Sequence, residues 1–200
     1  KDKFQIPLSQ LLTIAEITYK NSQSQSLFYI KDVQVSYVYK TLTVCTKKIQ
    51  ISIVLCEILN KCLSEPNDLL YEFIISAFQF LDLTEKYLVG FDTLFLIKFC
   101  ELVGISPFKI SLKNVSNKIL NIAEGRFVSG GLGLNKRMFV PEKESYELYK
   151  LSKLSFTDLK SYYIESSLNN QLFNYLVLYM SVHLKDLTKL NSIRVLKELV

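Results

Sequence analysis

Leu27-Phe-Tyr-Ile-Lys-Asp-Val-Gln-Val-Ser-Tyr-Val-Tyr39 is the stretch on which the reading of this fold turns. Apolar and polar residues alternate along it, and β-branched and aromatic side chains dominate, which is the signature of a half-buried strand. A matching run precedes it. Phe4, Ile6 and Leu8 alternate with polar neighbours, and Thr13, Ala15, Ile17 and Tyr19 continue on the other phase. Asn21-Ser-Gln-Ser-Gln-Ser26 links the two runs. An isolated two-stranded hairpin is marginal in water. Residues 1–40 are therefore expected to be the closing part of a larger sheet, with its first strands outside this sequence.

Beyond Tyr39 the period changes from two to three and four. Thr46 is expected to cap a helix over about 47–63, with Ile51, Val54, Leu55, Ile58, Leu59 and Cys62 on one face. Ser64-Glu-Pro-Asn67 breaks it, and Asn67 is expected to cap a second helix that buries Leu70, Phe73, Ile74, Ala77, Phe78 and Leu81. A third is expected from about Tyr87 to Val103, ending at Gly104, with Phe91, Leu94, Phe95, Lys98 and Leu102 as its stripe. These three read as an antiparallel bundle core. Ile119–Val128 reads as a small hairpin turning at Glu124-Gly125, followed by the glycine-rich Ser129–Gly133. Pro141 opens a helix to about Leu151, and Thr157 caps a short one with Asp158 near its positive end. Leu168–Leu184 reads as a long central helix buried on most sides, and Ser192 caps a terminal helix. The fold class is mainly α: a helical domain over 41–200, with a hairpin and loop insertion near 114–140, behind the strands of 1–40.

The composition of this 200-residue chain is 49% hydrophobic and 12% aromatic, enough for a sizeable core and incompatible with disorder. The net charge of +5 is unevenly spread. Residues 1–50 hold seven lysines against Asp2, Glu16 and Asp32, whereas residues 51–108 hold three lysines against eight acids. Residues 109–160 turn basic again, with ten cations against five acids. Two basic zones around an acidic one point to anionic partners at defined surfaces. Cys45, Cys56, Cys62 and Cys100 form no C-x-x-C pair and lie in apolar contexts, as reduced thiols do. No targeting segment is visible. Ser166–Leu184 carries no formal charge, but Asn169, Asn170, Gln171 and Asn174 interrupt it, so no membrane span is expected.

Catalytic groups are scarce. His183 is the only histidine, and it lies between Val182 and Leu184 with no nucleophile nearby in sequence, which favours a structural role. There is no G-x-S-x-G, no H-E-x-x-H and no cysteine quartet. Gly130-Gly-Leu-Gly133 lacks the G-K-[ST] ending of a phosphate loop. These residues argue for binding rather than catalysis, with no metal and no cofactor.

A set of strings, in order along the chain, carries a resemblance. Phe4-Gln-Ile-Pro-Leu-Ser-Gln-Leu-Leu-Thr-Ile14 and Ile30-Lys-Asp-Val33 come first, then Glu65-Pro-Asn67 and Phe78-Gln-Phe-Leu-Asp-Leu83. Phe91-Asp-Thr-Leu-Phe-Leu-Ile-Lys-Phe99, Leu102-Val-Gly-Ile-Ser-Pro107, Glu124-Gly-Arg-Phe-Val128 and Leu190–Val200 follow. Together they resemble the RecO family of bacterial recombination mediators, a small OB barrel followed by an all-helical domain. The resemblance implies that residues 1–40 are the end of the OB barrel. It also implies a non-enzymatic, cytoplasmic, nucleoid-associated protein that binds single- and double-stranded DNA and anneals complementary strands. The implied protein partners are the acidic tail of single-strand-binding protein, RecR and, functionally, RecA. Many members carry a four-cysteine zinc motif matching roughly Asn114–Gly133; this sequence has no cysteine after Cys100, so no zinc site is expected.

OB sheets hold nucleic acid with cations and stacking aromatics. Here the hairpin offers Tyr19, Phe28, Tyr29, Tyr37 and Tyr39 among Lys20, Lys31 and Lys40, and on an alternating strand about half of the aromatics face inward. Lys47 and Lys48 are added as an exposed pair at the positive end of the first helix. These five lysines are the candidate DNA contacts. An acidic tail wants a ring of cations beside apolar surface, for which Arg126, Lys136 and Arg137 are the candidates; pairing of Arg126 within its own domain competes with that role. The alternative function is a helical interaction scaffold that takes acidic partners without annealing DNA.

Overall fold

The computed structural model describes residues 12–20, 29–63, 65–109, 118–129, 138–187 and 189–192. The alternating runs pair as β1 (Ile14–Lys20) and β2 (Tyr29–Tyr37), an antiparallel ribbon. Three helices follow: α1 (Thr46–Cys62), α2 (Asp68–Leu83) and α3 (Phe91–Leu102). β3 (Lys118–Asn121) and β4 (Arg126–Ser129) form a second antiparallel pair, and α4 (Glu142–Ser152) and α5 (Ser166–His183) complete the body. Among the described residues no helix is long and apolar enough to cross a membrane.

The apolar stripes of α1 and α2 lie where their spacing puts them. Val54, Leu55, Ile58 and Leu59 of α1, and Leu70, Ala77, Phe78 and Leu81 of α2, are buried. Asn67 caps α2, its Oδ1 accepting the N–H of Leu70 at 3.0 Å. The cap of α1 differs from expectation: Cys45 holds the N-cap position in extended backbone, and Thr46 is the first helical residue.

The centre of the body is α3, not α5. Phe91 to Ile97, Phe99 and Cys100 are all buried, so α3 is enclosed on nearly every side, with α2, α4 and α5 packed around it. Its start is also later than the apolar pattern suggests, because Gly90 sits at φ +98° and turns the chain before Phe91. α5 buries one face only, through Asn169, Leu172, Phe173, Leu176, Tyr179 and Met180. Asn169 looks like a polar interruption in sequence but is a clamp. Its Nδ2 donates to Asp92 Oδ1 at 2.9 Å, and its Oδ1 accepts from Thr93 Oγ1 at 2.6 Å. Tyr87 donates to the same Asp92 oxygen at 3.0 Å. Burial dominates at Asp92 and pushes its carboxyl up, against these donors.

The small hairpin turns at Glu124-Gly125 as its sequence indicates. Asn121 organises the turn, accepting Glu124 N–H at its side chain (3.2 Å) and Gly125 N–H at its carbonyl (2.9 Å). Ser145 Oγ of α4 accepts from Leu120 N–H and donates to Val140 O, tying hairpin to helix. His183 has the structural role its surroundings suggest: a ring nitrogen lies 2.7 Å from Ile122 O, and the ring packs on Tyr179, whose hydroxyl donates to Ile105 O. Gly125 stands at φ +64°, and a Cβ there would lie 3.2 Å from both His183 Cε1 and Tyr179 Oη. Gly104 has φ +83° but open space around it. Left-handed backbone costs a non-glycine residue about 1–2 kcal/mol. Gly104→Ala is therefore expected to lose about 1 kcal/mol and Gly125→Ala about 2 kcal/mol or more, in paired urea titrations. Equal losses would remove the crowding argument.

Candidate nucleic-acid interface

Directly opposed residues on paired strands share a face. In the ribbon, Ala15 faces Val35, Ile17 faces Val33 and Tyr19 faces Ile30, which makes one face apolar. Glu16 with Gln34, Thr18 with Asp32, and Lys20 with Tyr29 make the other polar. The register slips twice, between Ile14 and Ala15 and between Thr18 and Tyr19, and the second slip leaves Lys31 as the extra residue of a bulge. Both faces meet solvent: on the apolar one Ile17 is 42% exposed, Ile30 45% and Val35 43%, and on the other Glu16, Thr18 and Lys20 are exposed.

The candidate lysines do not form one patch. Lys20 and Lys31 lie near the end of the ribbon away from the helices, where Tyr29 is exposed on the same face as Lys20 and Tyr19 on the opposite one. Lys40 and Lys47 are exposed at its base. The strand from Lys31 to Tyr37 spans roughly 20 Å at about 3.3 Å per residue. Glu16 and Asp32 sit between tip and base on the polar face, so the cations are concentrated at the two ends. Tyr37 and Tyr39 belong to the base and are half-buried, ring edge to ring face at 5.2 Å. Burial pushes the Tyr39 phenol up to about 12. Phe28 lies outside the described residues.

Lys48 is not an exposed helix-start cation. Its side chain is fully buried, 0% exposed, and its Nζ donates to Thr41 Oγ1 and Thr84 O, each at 2.5 Å, with Asp82 O at 3.4 Å. Burial pulls its ammonium below the usual lysine value. A lysine at the first turn of a helix normally reaches into water, away from the positive helix end. Here the connection between β2 and α1 folds back over that turn and encloses it, which a local sequence pattern does not reveal. Lys48 is thereby removed from the set of possible DNA contacts.

The residue that organises this connection was not singled out by sequence. Asp82 lies in the last turn of α2, where a carboxylate opposes the helix dipole. Its oxygens accept the N–H groups of Lys40 (3.0 Å), Thr41 (2.7 Å) and Leu42 (2.8 Å), and the hydroxyl of Tyr37 (3.1 Å). Burial raises the Asp82 carboxyl, but these donors outweigh it and hold it below the usual carboxylate value. An acid at the wrong end of a helix was the available signal.

Of the acidic-tail candidates, Arg126 is largely exposed and pairs through Nε with Glu124 Oε2 at 2.6 Å. Exposed pairs of this kind contribute about 0.2–1 kcal/mol, so an incoming carboxylate competes with it on even terms. Lys136 and Arg137 lie outside the described residues. Three other cations of the second basic zone are engaged internally. Lys153 donates to Phe108 O and covers the Tyr149 ring, Lys150 pairs with Glu147, and Lys160 lies over Phe80. Among the described residues no group of His, Cys, Asp and Glu is placed to hold a metal ion. Burial raises the thiols of Cys56 and Cys100 to about 12, as in unreactive reduced cysteines.

No family model matches the chain, and no solved structure matches it. Similar proteins do. The DNA repair protein RecO of Christiangramia forsetii is 26% identical over 202 residues, covering 100% of this chain and 81% of the relative. Along nearly its whole length the chain is similar to proteins named DNA repair protein RecO. The RecO of Flavobacterium psychrophilum is 25% identical over 200 residues, 99% of this chain and 81% of its own length. The RecO of Porphyromonas gingivalis is 24% identical over 195 residues, 96% of this chain and 77% of its own. The likeness to these RecO proteins runs through ribbon and helical body alike.

Proposed function

We propose that this protein acts in DNA repair and recombination by holding nucleic acid on the β1–β2 ribbon while its helical body engages protein partners. The observation that carries this reading is the ribbon tip, where Lys20 and Lys31 lie near exposed Tyr29 and Tyr19, in a chain whose relatives are named DNA repair proteins. Lysines neutralise phosphates without reading sequence, and aromatic faces accept any base. On this reading residues 1–40 are part of an OB-type barrel, and the protein anneals complementary strands. With RecR it helps load RecA on strands coated by single-strand-binding protein. Arg126, with Lys136 and Arg137, offers a docking place for that protein's acidic tail. The mode of action is binding, not catalysis.

The test is oligonucleotide binding by the whole chain over a range of salt. Affinity is expected to fall with salt at about 0.7 log units per log unit for each phosphate neutralised on a single strand. Lys20→Glu with Lys31→Glu is expected to weaken binding and flatten that slope by about 1.4, and Lys47→Glu to act more weakly. No binding by the unmodified chain at low salt sinks the reading. Binding of an acidic peptide without strand annealing would favour the interaction-scaffold alternative instead.

A further inference from the structure

Three segments meet where the ribbon joins the helices: residues 37–42 after β2, the first turn of α1, and the last turn of α2 with Thr84. The Asp82 carboxylate gathers three successive backbone N–H groups, those of Lys40, Thr41 and Leu42, and the hydroxyl of Tyr37. The Thr41 hydroxyl donates to Asp82 O at 2.5 Å and accepts from Lys48. Lys48 in turn holds the carbonyl of Thr84, whose own hydroxyl returns to Leu81 O at 2.8 Å. Every donor in this knot has an acceptor, and the knot contains the buried ends of two charged side chains. Leu42 is buried beneath it, while Val38 and Val44 on either side are exposed.

A connection of this length between a strand and a helix is ordinarily mobile surface loop. Here it is held by charge-assisted bonds, which are about twice as strong as neutral ones. The ribbon itself is exposed on both faces. Its orientation is therefore set at its base. A carboxylate at the C-terminal end of α2 does nothing for that helix, so its position is explained by what it holds.

We infer that Asp82, with Thr41 and Lys48, forms a rigid joint that fixes the angle of the β1–β2 ribbon to the helical body, and that strand annealing depends on that angle. The second half rests on the nucleic-acid reading of the ribbon. Asp82, Thr41 and Lys48 are then positioning residues. They lie at the end of the ribbon opposite Lys20 and Lys31, so loosening the joint leaves the tip's own contacts in place. A strand is still bound, but it is no longer presented at a fixed angle to a second strand or to a partner on the helices.

The experiment compares the unmodified chain with Asp82→Asn and with Thr41→Val, which removes the hydroxyl relay and leaves the carboxylate on its amides. Hydrogen exchange of the whole chain and two DNA assays are read on each. Asp82→Asn is expected to speed exchange of the 37–45 segment by about tenfold or more, the factor corresponding to about 1.4 kcal/mol, with α3 still protected. Thr41→Val shifts the same segment in the same direction by less. Oligonucleotide affinity is expected to stay within about threefold while annealing slows by about tenfold. Unchanged exchange in 37–45, or loss of protection in α3 together with it, overturns the joint. A freed 37–45 segment with undiminished annealing overturns the dependence on angle. If the unmodified chain binds no oligonucleotide, the nucleic-acid reading fails and annealing falls with it, while the exchange arm still decides the joint.

Discussion

Lys48→Glu is expected to unfold the junction between ribbon and helices, whereas Lys47→Glu leaves the fold intact. The two residues are neighbours in sequence and carry the same charge, and a surface reading treats them alike. Their environments are opposite. Lys47 is exposed, and a charge change there belongs to the surface class that moves stability by no more than about 0.5 kcal/mol. Lys48 is enclosed, and its ammonium meets the Thr41 hydroxyl and the carbonyls of Thr84 and Asp82. Glutamate would place a carboxylate against two acceptors and one hydroxyl, with the Asp82 carboxylate close by. Removing one member of a buried charged network costs about 3–5 kcal/mol, and reversing its sign costs at least that. Against a total stability of about 5–15 kcal/mol, such a variant is close to unfolded. Urea titration of the two single variants checks this, and equal stabilities would refute the buried role. A combined Lys47→Glu, Lys48→Glu variant therefore reports folding rather than DNA contact, and Lys47→Glu alone is the informative change.

Phe95→Ala is expected to be the most damaging single truncation in the core, lowering stability by about 3–5 kcal/mol. Phe95 is fully buried on α3, with ring centroids of Phe73, Phe78 and Phe91 at 5.1, 5.6 and 6.2 Å. Phe156 closes the cluster from the far side, stacked on Phe91 at 5.0 Å and on Phe73 at 6.1 Å. Because α3 is surrounded, α2, α4 and α5 cannot all move in to fill the space, so the cavity term stays large. Leu102→Ala, at the partly exposed end of the same helix, is the control and is expected to cost much less. A loss below about 1 kcal/mol for Phe95→Ala would mean that this core collapses freely around the gap.

Much of the architecture was legible because local patterns and burial agree. The alternation of Tyr29–Tyr37, the stripes of α1 and α2, the Asn67 cap and the turn at Glu124-Gly125 each depend on residues close in sequence. Local pattern and structure part where long-range contacts decide. The sequence around Phe91–Leu102 contains Asp92, Thr93 and Lys98, which make it look one-sided, yet Asn169 and Tyr87 satisfy Asp92. Lys98 reaches Ser152 O and Glu101. The uncharged run of α5 suggested deeper burial than it has, because absence of charge is not absence of solvent. Of the candidate lysines, the strand pattern places Lys20 and Lys31 near the same end of the ribbon, but it does not show that Lys48 is enclosed by a connection and held by the Thr41 hydroxyl and the backbone carbonyls of Asp82 and Thr84, 34 and 36 residues away in sequence.

The two register slips in the ribbon have a consequence for how copies of this protein behave toward each other. A strand pair with open sides is a template on which another chain can add its own strand. Between the slips, the regular pairing runs only from Ala15 to Thr18 against Asp32 to Val35. Each bulge bends and twists its strand and takes a peptide group out of line. An incoming strand thus finds no long straight row of donors and acceptors. Among the described residues, the irregular ladder leaves only these four pairs as a regular template for a further strand.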